Sequence, residues 1–426
     1  MSLCNRKEIV KSAERIFLMT FNPNLTINSA SRKKNIFETV TLLMLFFSAV
    51  NFASRFEYFL FLAFVVFVVT PNRSFRLNLS FLILCFFSLF QLFFNVTVQS
   101  SLHNAITAFV FPISYIMGCS FVSAKDSFDD HNGWVNRVIL ITSSGTLVHF
   151  LLNWYENRDS GHSGMAQIER NTHDFWTKDV LSATGQATLA CLALCVIAAF
   201  LFSNVDRRKK LIASMCLLAI IMYNLVLAGR TILALLLVLV AFSFLFRMFA
   251  YKKGNLKTIV VVLVILVAIF LIYQNDVFGV KSSLEDSNLY DRFNGKNSQD
   301  IDDDTRLEHK LAYLNYLDRY PFGGNNIRTL LGFSAHDLYL DTYDESGVFA
   351  TLMVIAYIIA SITRVVKCVK NRLIPIETRH LVACVYLGVN IQFWIEPIMR
   401  GTPWLLAFYC LIDGTVTAML DRVSRK

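Results

Sequence analysis

The sequence predicts an all-α, polytopic integral membrane protein with about 12 transmembrane helices and one large extracytoplasmic loop bearing short helices. Of its 426 residues, 55% are hydrophobic and only 17% are charged, and the mean hydropathy is +0.50. A soluble domain carries about a quarter charged residues. The apolar residues also occur in long blocks rather than in amphipathic stripes. Because lipid offers the backbone no hydrogen-bond partner, blocks of this length must be helical.

Twelve apolar runs divide the chain, and together they form a single membrane domain over residues 1–426. The second run is short for a hydrocarbon core of roughly 30 Å, and without it the orientation of everything before it would invert. The predicted spans are Ile36–Ala53, Phe56–Thr70, Leu77–Val96, Leu102–Val122, Val135–Asn153, Val180–Phe202, Leu211–Leu227, Thr231–Phe249, Thr258–Tyr273, Val348–Val366, His380–Pro397 and Pro403–Leu420.

Lysine and arginine residues predict how these spans are oriented. Seven basic residues precede the first span, and further basic clusters follow every second span. The positive-inside rule therefore places both termini in the cytoplasm. The weakest of these cytoplasmic segments is Lys125–Trp134, where one lysine lies among three aspartates. The net charge of +9 reflects this topology, so no nucleic-acid partner is expected. The later clusters are Arg73/Arg76, Arg207–Lys210, Lys252/Lys253/Lys257, Arg364–Arg379 and Arg422–Lys426.

The segment Asn275–Ser346 is the large hydrophilic loop of the opposite, extracytoplasmic face. It is dense in charge and lies between apolar runs that are long enough to span a membrane. A membrane protein with one such excursion is expected to carry out its chemistry there. Its cationic and histidine side chains, set among many carboxylates, include Arg292, Arg306, Arg319, Arg328 and His336.

Arg230 follows Gly229 in a tight outer turn between two apolar spans. An arginine in this position can simply extend its side chain to the lipid headgroups. The positive-inside bias disfavours that placement, however, and Gly229 leaves room for a ligand to approach. Arg230 is therefore a candidate for binding an anion.

Arg306 begins a segment in which Leu307, Leu311, Leu314 and Leu317 recur at helical spacing. This pattern predicts an amphipathic helix on the membrane surface. With Thr305 or Asp304 as the cap, Arg306 would lie in the first turn, where free backbone N–H groups help to bind an anion. The alternative is a solvated pairing of Arg306 with Glu308 or with the preceding aspartates.

His336 is expected to mark the start of a helix that enters the membrane, because an alternating apolar pattern continues from it into the next span. A histidine at the boundary between water and lipid titrates near neutrality and could act as a general base. A structural role is the alternative for any lone histidine. His162, His173 and His309 are the competing histidines of the outer face.

Two further groups of ionisable residues each allow two interpretations. The run Asp300–Asp304 could bind a divalent metal beside a nucleotide sugar, or it could be a solvated loop, which fits an outer position better. Glu396, Arg400 and Asp413 are predicted to cluster near the last two spans, where ionisable groups suggest function. Glu396 and Arg400 could equally form a structural ion pair at i,i+4 spacing.

Four short motifs occur in an order that resembles the O-antigen ligase and polymerase superfamily. They are Gly229–Arg230–Thr231, Thr305–Arg306–Leu307, Tyr320–Pro321–Phe322–Gly323, and His336 with Leu340 and Gly347. The span count and the position of the long loop also match. The residue matches are confined to roughly Gly229–Gly347. One departure is Asp337, since many members carry asparagine after the histidine; Asp337 could perturb the base or orient it.

The resemblance implies a glycosyltransferase of the bacterial inner membrane whose active face is periplasmic. Its donor would be an undecaprenyl-diphosphate-linked glycan and its acceptor a glycan or lipid, with the bilayer and a chain-length regulator as further partners. His336 would be the catalytic base, and Arg230 and Arg306 would neutralise the diphosphate. No metal or cofactor is expected, because a diphosphate already leaves readily. Further substrate-binding candidates are Arg319, Arg328, Tyr339, Glu396 and Arg400.

Three functions remain open from the sequence. A polymerase joins carrier-linked repeat units and is favoured, because the family motifs outside the core are weak here. A ligase would transfer the finished glycan to lipid A–core. A flippase for lipid-linked glycans is the alternative of another class, but transporters usually show internal repeats and charges near the membrane midplane, whereas this chain gathers its polar groups on one face.

Overall fold

A computed structural model describes residues 29–69, 77–98, 106–123, 128–158, 171–227, 229–250, 274 and 302–424. Most of these residues are helical. Among them, six helices are long and apolar enough to cross a membrane, and three shorter helices are also apolar. This composition agrees with a multi-pass membrane protein. Two predicted segments lie outside the described residues. They are the span Thr258–Tyr273 and the first part of the long loop, residues 275–301.

Eleven of the predicted spans fall on helices of the described chain, and their ends differ by up to ten residues from the prediction. The helices are α1 (Ser29–Ala49), α2 (Phe56–Val69), α3 (Leu79–Thr97), α4 (Val110–Ser123), α5 (Phe128–Glu156), α6 (Ala183–Phe202), α7 (Arg207–Leu227), α8 (Arg230–Ala250), α9 (Asp302–Leu314), α10 (Asn326–Leu331), α11 (Leu338–Lys370), α12 (Ile376–Ile395), α13 (Ile398–Gly401) and α14 (Pro403–Val423).

One short β-hairpin interrupts the otherwise helical structure of the described residues. Strand β1 (Asn171–His173) pairs antiparallel with β2 (Val180–Ser182), so the span predicted to begin at Val180 begins as a helix only at Ala183. Asn157 holds the hairpin, since it accepts from the His173 N–H at 2.7 Å and donates to the His173 carbonyl at 2.8 Å. Strands of three residues are too short to show an alternating pattern in the sequence.

Helix α5 also begins earlier than predicted, at Phe128 rather than Val135. Part of the segment Lys125–Trp134, which the charge pattern assigns to the cytoplasmic face, is therefore helical. Polar residues at the end of a span continue the same helix here, so the apolar pattern marks only the part of the helix suited to lipid.

Helix α14 forms the centre of the bundle and packs most extensively against α4. Two glycines permit this close approach. A Cβ on Gly118 would lie 2.1 Å from the Leu411 carbonyl oxygen, and one on Gly414 would lie 2.2 Å from that of Tyr115. Small residues at such crossings let helix backbones come together where lipid supplies no hydrophobic drive.

Three helices define the end of the bundle on which the candidate site is built. His380 of α12 bonds Ser203, at the end of α6, and stacks on Phe246 of α8. At the other end of α12, Gln392 lies 3.4 Å from Thr188, near the start of α6. Helix α12 is thus antiparallel to α6 and α8. Its C-terminus therefore lies at the same end of the bundle as the N-termini of α6 and α8, which we call the site end.

The Tyr-Pro-Phe-Gly turn and Gly347 fit together through their backbones. The Val348 N–H donates to the Pro321 carbonyl at 2.9 Å, and the Gly324 N–H donates to the Glu345 carbonyl at 3.0 Å. Gly347 interrupts α11 with φ 82° and ψ −178°, a conformation that is open almost only to glycine. The two motif segments, which are separated in sequence, are therefore parts of one structural joint.

Replacing Gly347 by alanine is expected to destabilise the protein by roughly 3 kcal/mol or more, since backbone strain of about 1–3 kcal/mol adds to a clash. The new Cβ would lie 2.8 Å from the Pro321 carbonyl oxygen. Gly332→Ala is the matched control, because Gly332 has the same φ of 82° but no atom within 4 Å of its Cβ position. Unfolding in mixed micelles measures both; equal losses would show that the joint does not matter.

A buried ion pair ties α11 to α14 inside the bundle. Arg364 donates from Nε to Asp413 Oδ1 at 3.0 Å and also donates to Oδ2 from Nη2. Tyr386 donates to the same carboxylate at 2.7 Å, and Arg364 Nη1 reaches Ser80 of α3 at 2.7 Å. The predicted grouping of Asp413 with Glu396 and Arg400 is therefore wrong.

Candidate functional site

Helix α9 presents its polar face to the rest of the protein. Leu307 is 65% exposed and Leu311 is 51% exposed, as expected of the apolar face of a helix on a membrane surface. The opposite face carries Arg306, Lys310 and the fully buried Tyr313. Because α9 already begins at Asp302, Arg306 lies in its second turn. The expectations of a first-turn position and of a cap at Thr305 or Asp304 are wrong.

Two cations of α9 meet the C-terminal end of α12. Arg306 Nη1 donates to the Ile395 carbonyl at 3.1 Å, and Lys310 Nζ donates to the Trp394 carbonyl. The last carbonyls of a helix have no partner within it and form the negative end of its dipole. Arg306 and Lys310 satisfy them, which holds α9 across the site end.

His336 lies beside this pair of cations. Its backbone is left-handed, with φ 59°, and its ring centroid is 6.1 Å from that of His309. His309 is on the same face of α9 as Arg306 and stacks on Phe333 at 3.7 Å. Two predicted catalytic residues, Arg306 and His336, therefore belong to one group, which we call the α9 cluster: Arg306, His309, Lys310, His336, Asp337 and Glu396.

Asp337 fixes the point at which α11 begins. Its Oδ1 accepts from the Leu340 N–H at 2.7 Å as the helix cap, and its Oδ2 lies 3.3 Å from Lys310 Nζ. Burial raises the pKa of this carboxyl, while the Leu340 N–H and Lys310 oppose that shift. Through these two contacts Asp337 has a structural role: it caps α11 and, by its contact with Lys310, keeps the adjacent residue His336 close to α9.

Glu396 follows the last residue of α12 and so lies just outside that helix. Its side chain is 3% exposed and its Oε1 is 3.7 Å from Arg306 Nη1. Burial raises the pKa of Glu396 to about 7, although Arg306 and a hydrogen bond with Thr184 work against the shift. The alternative of a Glu396–Arg400 ion pair is wrong, because the helix stops before Pro397 and the two residues meet different partners.

Arg230 is placed by the register of α8 against α12. Ser243 lies 3.2 Å from Cys384, and Leu239 packs beside Gly388, one turn further along both helices. Continuing this register by two more turns brings Arg230, the first residue of α8, level with the end of α12. All three predicted catalytic residues are thus at the site end. Contacts join Arg306 to His336 through the α9 cluster, and helix register relates Arg230 to them.

The other predicted binding residues separate into two places. Tyr339 lies next to the α9 cluster, since its ring is 5.0 Å from that of Trp394, whose carbonyl accepts from Lys310. Arg319 is exposed and lies over the Tyr316 ring at 5.3 Å.

The sequence interpretation missed Lys310. Its position four residues after Arg306, on the same face of a predicted helix, was the available signal.

Arg400 forms a second cluster with carboxylates of α11. Its Nε donates to Glu345 Oε1 and its Nη2 to Asp344 Oδ2, both at 2.8 Å. Burial alone would lower the pKa of Arg400. The carboxylates of Glu345, Asp341 and Asp344 raise it by more than burial lowers it, so the net shift is upward and the guanidinium stays charged. Asp344 also accepts from the Ile327 N–H at 2.9 Å. Arg400 thereby ties α10 and α11 to the turn before α14.

A cavity of about 370 Å³ lies beside this second cluster. Arg328 and Arg400 both line it, together with Glu345 and residues of α3 and α4. Glu345 lies two helical turns beyond Asp337, roughly 12 Å along α11. Two of the predicted binding residues, Arg328 and Arg400, therefore lie at the same cavity. This cavity is separate from the α9 cluster.

Comparison with known proteins gives no relative for this chain: no protein-family model matches it, and no curated protein matches it in sequence.

Proposed function

We propose that this protein is a membrane glycosyltransferase that polymerises undecaprenyl-diphosphate-linked oligosaccharide units on the extracytoplasmic side of a bacterial inner membrane. The observation that carries the proposal is the α9 cluster, in which Arg306 and His336 lie within one group of side chains. Arg230 begins α8 at the same end of the bundle. Residues scattered over more than a hundred positions in sequence are thus gathered where a membrane helix bundle ends.

Electrostatics suit this group to a lipid diphosphate. Arg306 and Lys310 are neighbouring cations on one face of α9, and a guanidinium offers forked hydrogen bonds that match phosphate oxygens. The exposed leucines of α9 fit a helix that lies at headgroup depth. A diphosphate whose polyprenyl tail remains in the bilayer would then meet these cations at the same depth. Arg230 would supply a third positive charge from the start of α8.

The reaction needs one base and one anion-binding site. The acceptor hydroxyl oxygen attacks the anomeric carbon of the donor sugar, while the bond from that carbon to the phosphate oxygen breaks. The electron pair leaves with the undecaprenyl diphosphate, whose charge the arginines stabilise. The hydroxyl proton passes to His336, the histidine that the motif indicates as the base. The ring centroid of His309 is 6.1 Å from that of His336, which makes His309 an alternative acceptor for that proton.

Donor binding is expected to weaken as pH rises through about 7, because of Glu396. Below its pKa the buried carboxyl is neutral and leaves the charge of Arg306 to the donor. An anionic ligand would raise that pKa further, so binding takes up a proton and is lost as pH rises, by up to about tenfold per pH unit. Glu396→Gln should give a KM for the donor that is nearly flat with pH.

The control for this pH effect is Glu308→Gln on the exposed face of α9. It should keep the pH dependence of the wild type. An unchanged pH profile in Glu396→Gln would remove Glu396 from the account.

Deletion of the gene, followed by analysis of surface polysaccharide, tests the proposed function. A polymerase should leave single repeat units, and a copy carrying His336→Ala should fail to restore long chains although the protein reaches the membrane. Full-length glycan retained on the carrier would instead identify a ligase. Normal chain length with His336→Ala would contradict glycosyl transfer by this site and favour a flippase.

A further inference from the structure

The cavity beside Arg400 has the composition of a site for a neutral, hydroxyl-rich ligand. Its polar wall includes Gln91, Asn95, Arg328, Glu345 and Arg400, and aromatic residues contribute to its apolar part. Its volume of about 370 Å³ lies in the lower part of the range for small-molecule sites. Carboxylate, amide and guanidinium groups together can both accept from and donate to hydroxyl groups.

Gln91 is the observation that indicates a ligand. It lies on α3, is only 2% exposed, and lines the cavity. Within the part of the chain that the structure describes, its Nε2 has no hydrogen-bond partner. A buried amide donor without a partner costs about 1–3 kcal/mol, so its retention at a cavity wall is explained by an acceptor that arrives with a ligand.

The charge balance of the cavity disfavours a strongly anionic ligand. Two cations, Arg328 and Arg400, line the cavity. Their charges are matched by two carboxylates, Glu345 and Asp344, both of which accept from Arg400, and Glu345 itself forms part of the wall. A phosphate here would meet a carboxylate in a buried setting, which is unfavourable. Phe56 and Phe111 also line the cavity and provide apolar surface, which suits the C–H face of a sugar ring.

We infer that this cavity binds a neutral pyranose ring of the glycan substrate, at a subsite separate from the reacting sugar. The inference rests on the proposed function for its choice of glycan. The separation follows from α11, since Glu345 at the cavity and Asp337 at the α9 cluster are two turns apart. The bound ring would hold the glycan while another of its sugars reacts near His336.

Binding of simple glycosides to the purified full-length protein in lipid nanodiscs tests this inference. The probes are methyl glycosides of hexoses, 6-deoxyhexoses and N-acetylhexosamines, measured by saturation-transfer NMR. At least one should bind, and Gln91→Leu should weaken it roughly three- to tenfold, as expected for the loss of one neutral hydrogen bond. Ser88→Ala, one turn earlier on the buried face of α3, is the matched control and should bind like the wild type.

Stability separates a binding role of Gln91 from a structural one. Gln91→Leu removes a buried donor without a partner, so its unfolding temperature should equal or exceed that of the wild type. A lower temperature, no binding of any glycoside, or equal binding by Gln91→Leu would overturn the inference. So would loss of binding in Arg306→Ala, which would place the sugar in the α9 cluster. Because no turnover is measured, failure of the proposed reaction would leave these results unchanged.

Discussion

Replacing Arg306 by alanine is expected to reduce glycosyl transfer by roughly 10²–10³-fold, the loss typical of one donor that stabilises charge developing in a transition state. Arg306 has its Nη1 on the Ile395 carbonyl and lies 3.7 Å from Glu396. Within the described part of the chain the contacts of this guanidinium involve Nη1, so its Nε and Nη2 can bind phosphate. Turnover of a carrier-linked donor by purified protein measures the effect.

Arg306→Lys should recover little of this activity, because an ammonium group provides a point charge and no fork. Glu308→Ala is the matched control, since Glu308 is an exposed neighbour on the same helix. The account of the α9 cluster would be wrong if Arg306→Ala and Glu308→Ala polymerised equally well.

Replacing Asp413 by alanine should destabilise the protein by about 3–5 kcal/mol, because it leaves a buried guanidinium without its partner. Asp413 is 0% exposed and accepts from Arg364, Tyr386 and Ser361. Its loss therefore removes contacts that join α14 to both α11 and α12. Unfolding of the purified protein in mixed micelles of rising SDS content measures the change, with Asp421→Ala as a control because Asp421 is exposed on the same helix.

The double variant Arg364→Met with Asp413→Leu separates pairing from packing. Removing both charges should restore most of the lost stability, since replacing a whole buried pair by apolar residues of similar size is often neutral or stabilising. If the double variant is as unstable as Asp413→Ala, the ion pair is not the reason for the loss.

The sequence predicted the helices well because lipid imposes a simple rule on the backbone. Long apolar runs must be helical, and the helices of the described chain follow them. The rule does not predict where polar residues extend a helix beyond its apolar part, as at the start of α5. It also does not predict local structures that side-chain hydrogen bonds stabilise, such as the hairpin held by Asn157.

The sequence indicated some of the groupings among the candidate residues but not others, and the missed groupings share one cause. The order of the motifs indicated Arg306 and His336 as candidate residues, and in the structure both lie in the α9 cluster. The partners of Glu396, Arg400 and Asp413 were missed because proximity in sequence stood in for proximity in space. Pro397 ends α12, after which Glu396 faces α9 and Arg400 faces α11. The break at Gly347 and the cavity near Gln91 depend on contacts between distant segments, which no local pattern encodes.

The most direct test of the central claim is transfer by purified protein, in nanodiscs, between carrier-linked glycan units carrying a fluorescent label. Wild-type protein should make longer glycans, and His336→Ala should be slower by about 10²–10⁴-fold, the range for loss of a general base. Binding of the labelled donor by this variant should stay within a few-fold of normal, because the arginines remain. Wild-type rates of elongation by His336→Ala would contradict the claim that these residues form a glycosyl-transfer site.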